Sequence, residues 1–162
     1  YGATDELYPA DFLKRAAVDQ RLHYETGILF STCLKQITRP LFYEKPPATE
    51  IPKDKIEQIH SAYGMLEQFL GEEKYMAGSQ LTIADFSIVS TVSTFHMTFA
   101  TVEAERYPRL SGWLARMATL PYYEEANYRG AKAFSERVKS LLPKEFTKLW
   151  QKAMADIKSS RQ

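Results

Sequence analysis

The sequence predicts an all-α fold of about six helices in a single domain. Apolar residues recur at three- and four-residue spacings through most of the chain, no convincing alternating strand pattern occurs, and a cluster of N-capping residues opens the least polar segment. The 162 residues carry a formal net charge of +1, and 44% are apolar with only seven Gly. That balance suits a packed globule and excludes a polycation built for nucleic acid. One cysteine, Cys33, precludes an internal disulfide and fits a reducing compartment. No run of eighteen apolar residues occurs to span a membrane.

Pro9 and Asp11 precede the first helical pattern, in which Phe12, Ala16, Leu22, Leu29, Cys33, Ile37 and Leu41 form one stripe. A helix of about thirty residues is long for a globular domain, so a bend is expected. Gly27 in its interior costs about 1 kcal/mol against alanine, and close approach of a neighbouring backbone is the expected compensation. "YEKPPATEIPKD" is a loop punctuated by Pro46, Pro47 and Pro52, with Pro52 as the first residue of a second helix running to about Glu72. Its stripe is Ile56, Ile59, Tyr63, Leu66 and Leu70. The turn "EKYMAGSQ" follows.

"QLTIADFSIVSTVSTF" opens the third helix. Thr82 is a good N-cap and Asp85 stands three residues on, a capping box with aspartate in place of the more usual glutamate. Leu81 and Phe86 occupy the positions of a hydrophobic staple. No Asp, Glu, Lys or Arg occurs between Asp85 and Glu103. A helix with only small hydroxyl residues among its apolar ones is buried on most sides, and its hydroxyls can bond to carbonyls a turn back. It is the expected centre of the bundle. Pro108 starts a fourth helix with Leu110, Trp113, Leu114 and Met117 inward. "PYYEEANYRGAKAFSERVKSLL" reads as a fifth, broken near Gly130. Pro143 begins a last one, with Phe146, Leu149, Trp150, Ala153 and Ile157 on one side.

Catalytic signals are sparse. His23, His60 and His96 fall on three different helices without metal-ligand spacing, and they read as structural or surface residues, with His96 a satisfied core histidine. No nucleophile elbow, phosphate-binding loop or dinucleotide fingerprint is present. Cys33 lies on an apolar helix face without an obvious base and reads as a packing residue. From Lys132 to Gln162 there are eight Lys or Arg against three Asp or Glu. That segment suits an anionic partner or membrane surface, or, as the favoured reading, a terminal helix docked on the bundle with its lysines in water. Leu34, Ile37, Thr38, Leu41 and Phe42 are spaced to line a cleft that Phe134, Val138 and Leu141 could close from the later helix. From spacing alone, ordinary core packing accounts for them better.

"QLTIADFSIVST", "RAAVDQRLHYETGILF" and "LPYYEEAN" together resemble the C-terminal domain of cytosolic glutathione transferases, the insect delta and epsilon classes and epsilon more than delta. The resemblance covers nearly the whole chain. It implies that residues 1–9 are an interdomain linker and the end of an N-terminal domain, and that residues 10–162 are the all-helical C-terminal domain. It further implies that a thioredoxin-like N-terminal domain, which binds glutathione and holds the thiol-activating serine, is absent from this chain. No residue here would then be catalytic. The family's hydrophobic-substrate wall falls on Cys33, Leu34, Ile37, Thr38, Leu41, Phe42, Phe134, Val138 and Leu141. Some epsilon members carry arginine where Leu34 stands and glutamate where Thr38 stands, so this pocket is expected to be more apolar. The box of Leu81, Thr82, Asp85 and Phe86 is implied to be a folding determinant, not a catalytic acid. Conjugation of glutathione to hydrophobic electrophiles in detoxification, a cytoplasmic homodimer, and no metal, nucleic acid or membrane partner are the remaining implications. The rivals are a non-catalytic interaction module and a ligand-binding protein without turnover.

Overall fold

A computed structural model describes residues 5–45 and 48–143. The expected last helix, with Phe146, Leu149, Trp150, Ala153 and Ile157, lies outside the described residues, as do Pro46 and Pro47. The first helical run is continuous from Phe12 to Phe42 and consists of three parts: α1 (Phe12–Tyr24), a π-helical segment (Glu25–Leu34) and α2 (Lys35–Phe42). Then come α3 (Lys53–Leu70), α4 (Ile83–Thr98), α5 (Pro108–Ala118), a second π-helical turn (Glu124–Tyr128) and α6 (Arg129–Leu141). Among the described residues the only sheet-like pairing is an isolated bridge between Tyr75 and Gly78, where Gly78 adopts φ +136°.

Asp11 caps α1 through its carboxylate, which accepts the N–H groups of Leu13 (3.1 Å) and Lys14 (2.9 Å). The sequence stripe is right from Leu29 onward and wrong at its start. Phe12 is 84% exposed and Ala16 is exposed, and Val18 is the buried residue of α1. The buried ladder is Val18, Glu25, Leu29, Cys33, Ile37 and Leu41. Its four-residue steps would wind around an α-helix by about 40° each. The wider π-helical turn, closed by i→i−5 bonds such as Lys35 N–H to Phe30 C=O, winds them back. Ser31 Oγ and Thr32 Oγ1 donate to the carbonyls of Thr26 (2.7 Å) and Gly27 (2.8 Å), five residues back. The expected irregularity is therefore a change of winding. Gly27 is exposed with nothing near its missing Cβ, so the expected close approach of a backbone does not occur.

Pro52 is the N-cap of α3, not its first residue, and α3 ends at Gly71, which takes φ +50°. Ile59, Tyr63, Leu66 and Leu70 are buried and Ile56 packs against them. Full burial of such side chains stabilises by about 1.5–3 kcal/mol each. Tyr63 also donates its phenol to Ala100 C=O at 2.8 Å. Glu67 of α3 caps α5 from outside it, accepting the N–H groups of Arg109 (2.9 Å) and Leu110 (2.8 Å). Pro108 at the first position of α5 has no N–H to satisfy. The expected break at Gly130 is absent; the irregular winding lies just before it, at Glu124–Tyr128.

α4 is the centre of the bundle, in contact with α1, the first π segment, α5 and α6. Its capping box is formed. Asp85 is fully buried and its two oxygens take four donors. Oδ2 accepts Thr82 N–H (2.9 Å) and Thr82 Oγ1 (3.0 Å). Oδ1 accepts Met76 N–H (2.9 Å) from the preceding turn and Trp113 Nε1–H (2.9 Å) from α5. Leu81 and Phe86, at the staple positions, are half-buried against the core. Ser90, Ser93 and Thr94 donate to carbonyls a turn back, as the hydroxyl-rich pattern implied. Thr91 instead reaches another helix.

Removing the Asp85 carboxylate leaves buried donors without an acceptor. Asp85→Ala should therefore cost about 3 kcal/mol or more in urea unfolding. Glu67→Ala, which uncaps a half-exposed helix start, should cost about 1 kcal/mol.

Candidate functional site

The end of α2 and the face of α6 meet through aromatic rings. Phe42 lies 6.0 Å from Phe134, centroid to centroid, and Phe134 lies edge-on to Phe99 at 6.2 Å. Tyr43, 81% exposed, extends the row outward, 6.4 Å from Phe42. Three parts of the fold, the first helical run, the end of α4 and α6, are thereby joined at one end of the bundle. Ser135 Oγ fixes the approach of α6 by donating to Met97 C=O at 2.9 Å.

The nine residues expected to form a substrate wall divide by exposure. Cys33, Ile37, Leu41 and Val138 are at most 3% exposed and belong to the hydrophobic core. Leu34, Thr38, Phe42, Phe134 and Leu141 are half-buried, so they are the members of the set with surface to offer a ligand. The division follows from position: the buried four continue the inward ladders of the first helical run and α6, and the half-buried five sit beside those ladders.

Sequence spacing did not reveal Glu25. It is buried near the start of the π segment, where its Oε1 accepts Thr91 Oγ1 at 2.7 Å. A hydroxyl in the middle of α4 was expected to bond locally, and the partner came from 66 residues away. The signal available in the sequence was a glutamate in phase with Val18 and Leu29. Further along α4, Thr98 Oγ1 is buried with no hydrogen-bond partner among the described residues.

The titratable groups are arranged for structure. Burial pushes the Cys33 thiol up, with Lys55 opposing, which keeps it a protonated, poorly nucleophilic core residue. Tyr24, half-buried near it, is pushed up to about 12, chiefly by burial. His23 is exposed. His96 accepts Val102 N–H at Nδ1, 3.0 Å away; it is half-buried and hydrogen-bonded, as expected of a satisfied histidine. His60 stacks on Tyr107, whose phenol donates to His60 C=O at 3.0 Å and lies 3.2 Å from Nδ1. Burial, then the nearby Arg106, lower the His60 pKa, and Glu103 opposes them. Two clefts lie elsewhere. One of about 620 Å³, with a mixed polar and apolar lining, separates the segment around Asp11 from the 73–82 turn. One of about 520 Å³ lies between α4, α5 and the second π-helical turn.

The family model for the glutathione S-transferase C-terminal domain matches residues 32–125. The chain belongs to that family. Glutathione S-transferase 1 of Manduca sexta is 36% identical over 142 residues, which cover 88% of this chain and 64% of that protein. The epsilon-class glutathione S-transferase of the housefly, Musca domestica, superposes with a TM-score of 0.83 at 50% identity, over 87% of this chain and 63% of the housefly chain. A glutathione transferase homologue from Drosophila mojavensis, solved with bound glutathione, gives 0.82 at 42% identity, over 88% and 63%. The chain thus spans just under two thirds of the length of these relatives. No described helix is long and apolar enough to cross a membrane.

Two measurements check this electrostatic picture. Native Cys33 should react with iodoacetamide more than about tenfold more slowly than in the urea-unfolded chain. Because the folded pKa of His60 lies below its unfolded value, the unfolded state binds more protons as pH falls. Stability should therefore fall as the pH drops below about 6.5, and His60→Gln should flatten that slope in pH-dependent denaturation.

Proposed function

We propose that this chain is the C-terminal helical half of an insect glutathione transferase of the epsilon class, and that it supplies the wall against which an apolar electrophile is held. Residues 1–9 are then the linker and the end of an N-terminal thioredoxin-like domain, and residues 10–162 are the helical domain. The observation that carries the reading is the Phe42–Phe134 ring contact, which makes an aromatic wall from the α2 and α6 positions in a chain of this family. Half-buried Leu34, Thr38 and Leu141 extend it. Leu34 and Thr38 put no charge there, which suits flat apolar substrates.

In the proposed reaction a glutathione thiolate attacks an electrophilic carbon. A C–S bond forms as the bond to the leaving group breaks. Lowering the thiol pKa belongs to the N-terminal domain, which also binds most of the glutathione. The helical wall contributes position: holding both reactants together replaces a bimolecular encounter with an oriented one. No residue of the helical domain need exchange a proton. The working form is a cytoplasmic homodimer, and Phe12 and Leu13, each 84% exposed, are apolar surface that a second domain or subunit would cover.

The test is conjugation of glutathione to 1-chloro-2,4-dinitrobenzene by the native protein and by its Phe42→Ala variant. The variant should raise KM for the aryl halide several-fold, about 1 kcal/mol of lost apolar contact, with KM for glutathione nearly unchanged. Equal losses for both substrates would overturn the wall assignment. Tight binding of an apolar dye with no conjugation would identify a ligand carrier instead.

A further inference from the structure

The last turns of the first helical run carry three parallel stripes, each made by four-residue steps. Ile37 and Leu41 face the core, and Leu34, Thr38 and Phe42 are half-buried. Lys35, Arg39 and Tyr43, each one residue further on, are exposed. Around α2, Lys35 and Arg39 lie about 20° and 60° beyond Phe42, on the side away from the core. The half-buried stripe is thus bordered by apolar core on one side and by two cations and a phenol on the other.

α6 repeats the arrangement. Phe134 and Leu141 are half-buried, Val138 is buried and Arg137 is exposed. Arg137 stands one turn after Phe134 and one turn before Leu141, about 60° and 40° around the helix from them, again on the side away from the core. The outer margin of the Phe42–Phe134 ring pair therefore carries cations from both helices. α2 contains no acidic residue, and Glu136, the acidic residue of α6, falls on the side opposite Phe134. Among the described residues the ion pairs engage Lys55, Arg109 and Arg129, and none of them takes Lys35, Arg39 or Arg137. Like charges gathered along an apolar surface repel one another, and an anion placed there is attracted by all of them.

Resting on the transferase reading, we propose that this margin is an anion subsite of the wall, with Arg39 as its main donor, and that the site prefers aryl electrophiles carrying a carboxylate. The ring of such a compound lies on Phe42 and Phe134. Its carboxylate lies at the margin, where the planar Arg39 guanidinium donates two parallel N–H···O bonds. Lys35 adds a point charge from the turn before. The carboxylate takes no part in the chemistry. The glutathione sulfur bonds to the ring carbon, chloride leaves with the electron pair of the C–Cl bond, and no proton is transferred.

The test compares 4-chloro-3-nitrobenzoate with its neutral analogue 4-chloro-3-nitrobenzamide as substrates of the native protein. Arg39→Gln should lower the benzoate-to-benzamide ratio of kcat/KM about fivefold, chiefly through KM for the benzoate. Arg39→Lys should recover part of that loss, and added sodium chloride should lower the native ratio in the same direction. Lys132→Gln, at an exposed position on the far side of α6 from Phe134, should leave the ratio where it is. Equal losses on both substrates in Arg39→Gln, or a ratio that responds neither to Arg39 nor to salt, would overturn the anion subsite and leave the transferase reading standing. So would conjugation of 1-chloro-2,4-dinitrobenzene with neither test compound accepted. Conjugation of none of the three would overturn the subsite and the transferase reading together.

Discussion

The buried carboxylate of Asp85 is the constraint on which the rest of the structure depends. Burying an ion is costly unless its oxygens are filled by donors, and Asp85 has four, from three parts of the chain. Thr82 holds the start of α4, Met76 holds the turn before it, and Trp113 holds α5. The Met76 peptide carries the linkage further: its carbonyl accepts Arg21 Nε at 2.9 Å, and the Arg21 guanidinium lies 3.7 Å over the ring of Phe69. One side chain therefore sets the registers of α1, α3, α4 and α5 relative to one another. A helix as bare of charge as α4 has no polar pattern of its own to fix where it begins, and this bonding supplies that definition.

A second constraint acts along the length of the first helical run. Inward residues four apart cannot stay in line on a straight α-helix, and the π-helical segment compensates for the drift. Glu25 and Thr91 pin the start of that segment to the middle of α4. The face that α2 presents at the far end, with Leu41 inward and Phe42 beside it, follows from the winding upstream. The row of rings Phe42, Phe134 and Phe99 is thus built by geometry set well away from it: the register of α4 positions Phe99, the Ser135–Met97 bond positions Phe134, and the π segment positions Phe42.

Much of this was legible in the residues. The all-α class, the extents of α3, α4 and α5, the capping box and most of the core followed from periodicity and from end signals that act within a few residues of themselves. The first helix was legible in length but not in winding, because π-helical turns leave no periodic mark that distinguishes them from a slipped stripe. The same limit made Phe12 and Ala16 look buried, whereas the inward residue of α1 is Val18. Gly27 and Gly130 misled for a related reason: a glycine permits a close approach or a break, and only the neighbours decide whether one occurs.

The sequence alone determined what depends on near neighbours: the helical class, the local caps, most of the apolar stripes and the family resemblance carried by local motifs. Tertiary structure alone decided what depends on partners distant in the chain. It added Met76 and Trp113 to the bonds of Asp85, paired Glu25 with Thr91, let Glu67 cap a helix that begins 41 residues later, and divided nine candidate wall residues into buried and half-buried sets. The physical reason is reach. A cap or a stripe is satisfied within a turn or two of helix, whereas a buried donor or a ring face is satisfied only by whatever packing brings against it.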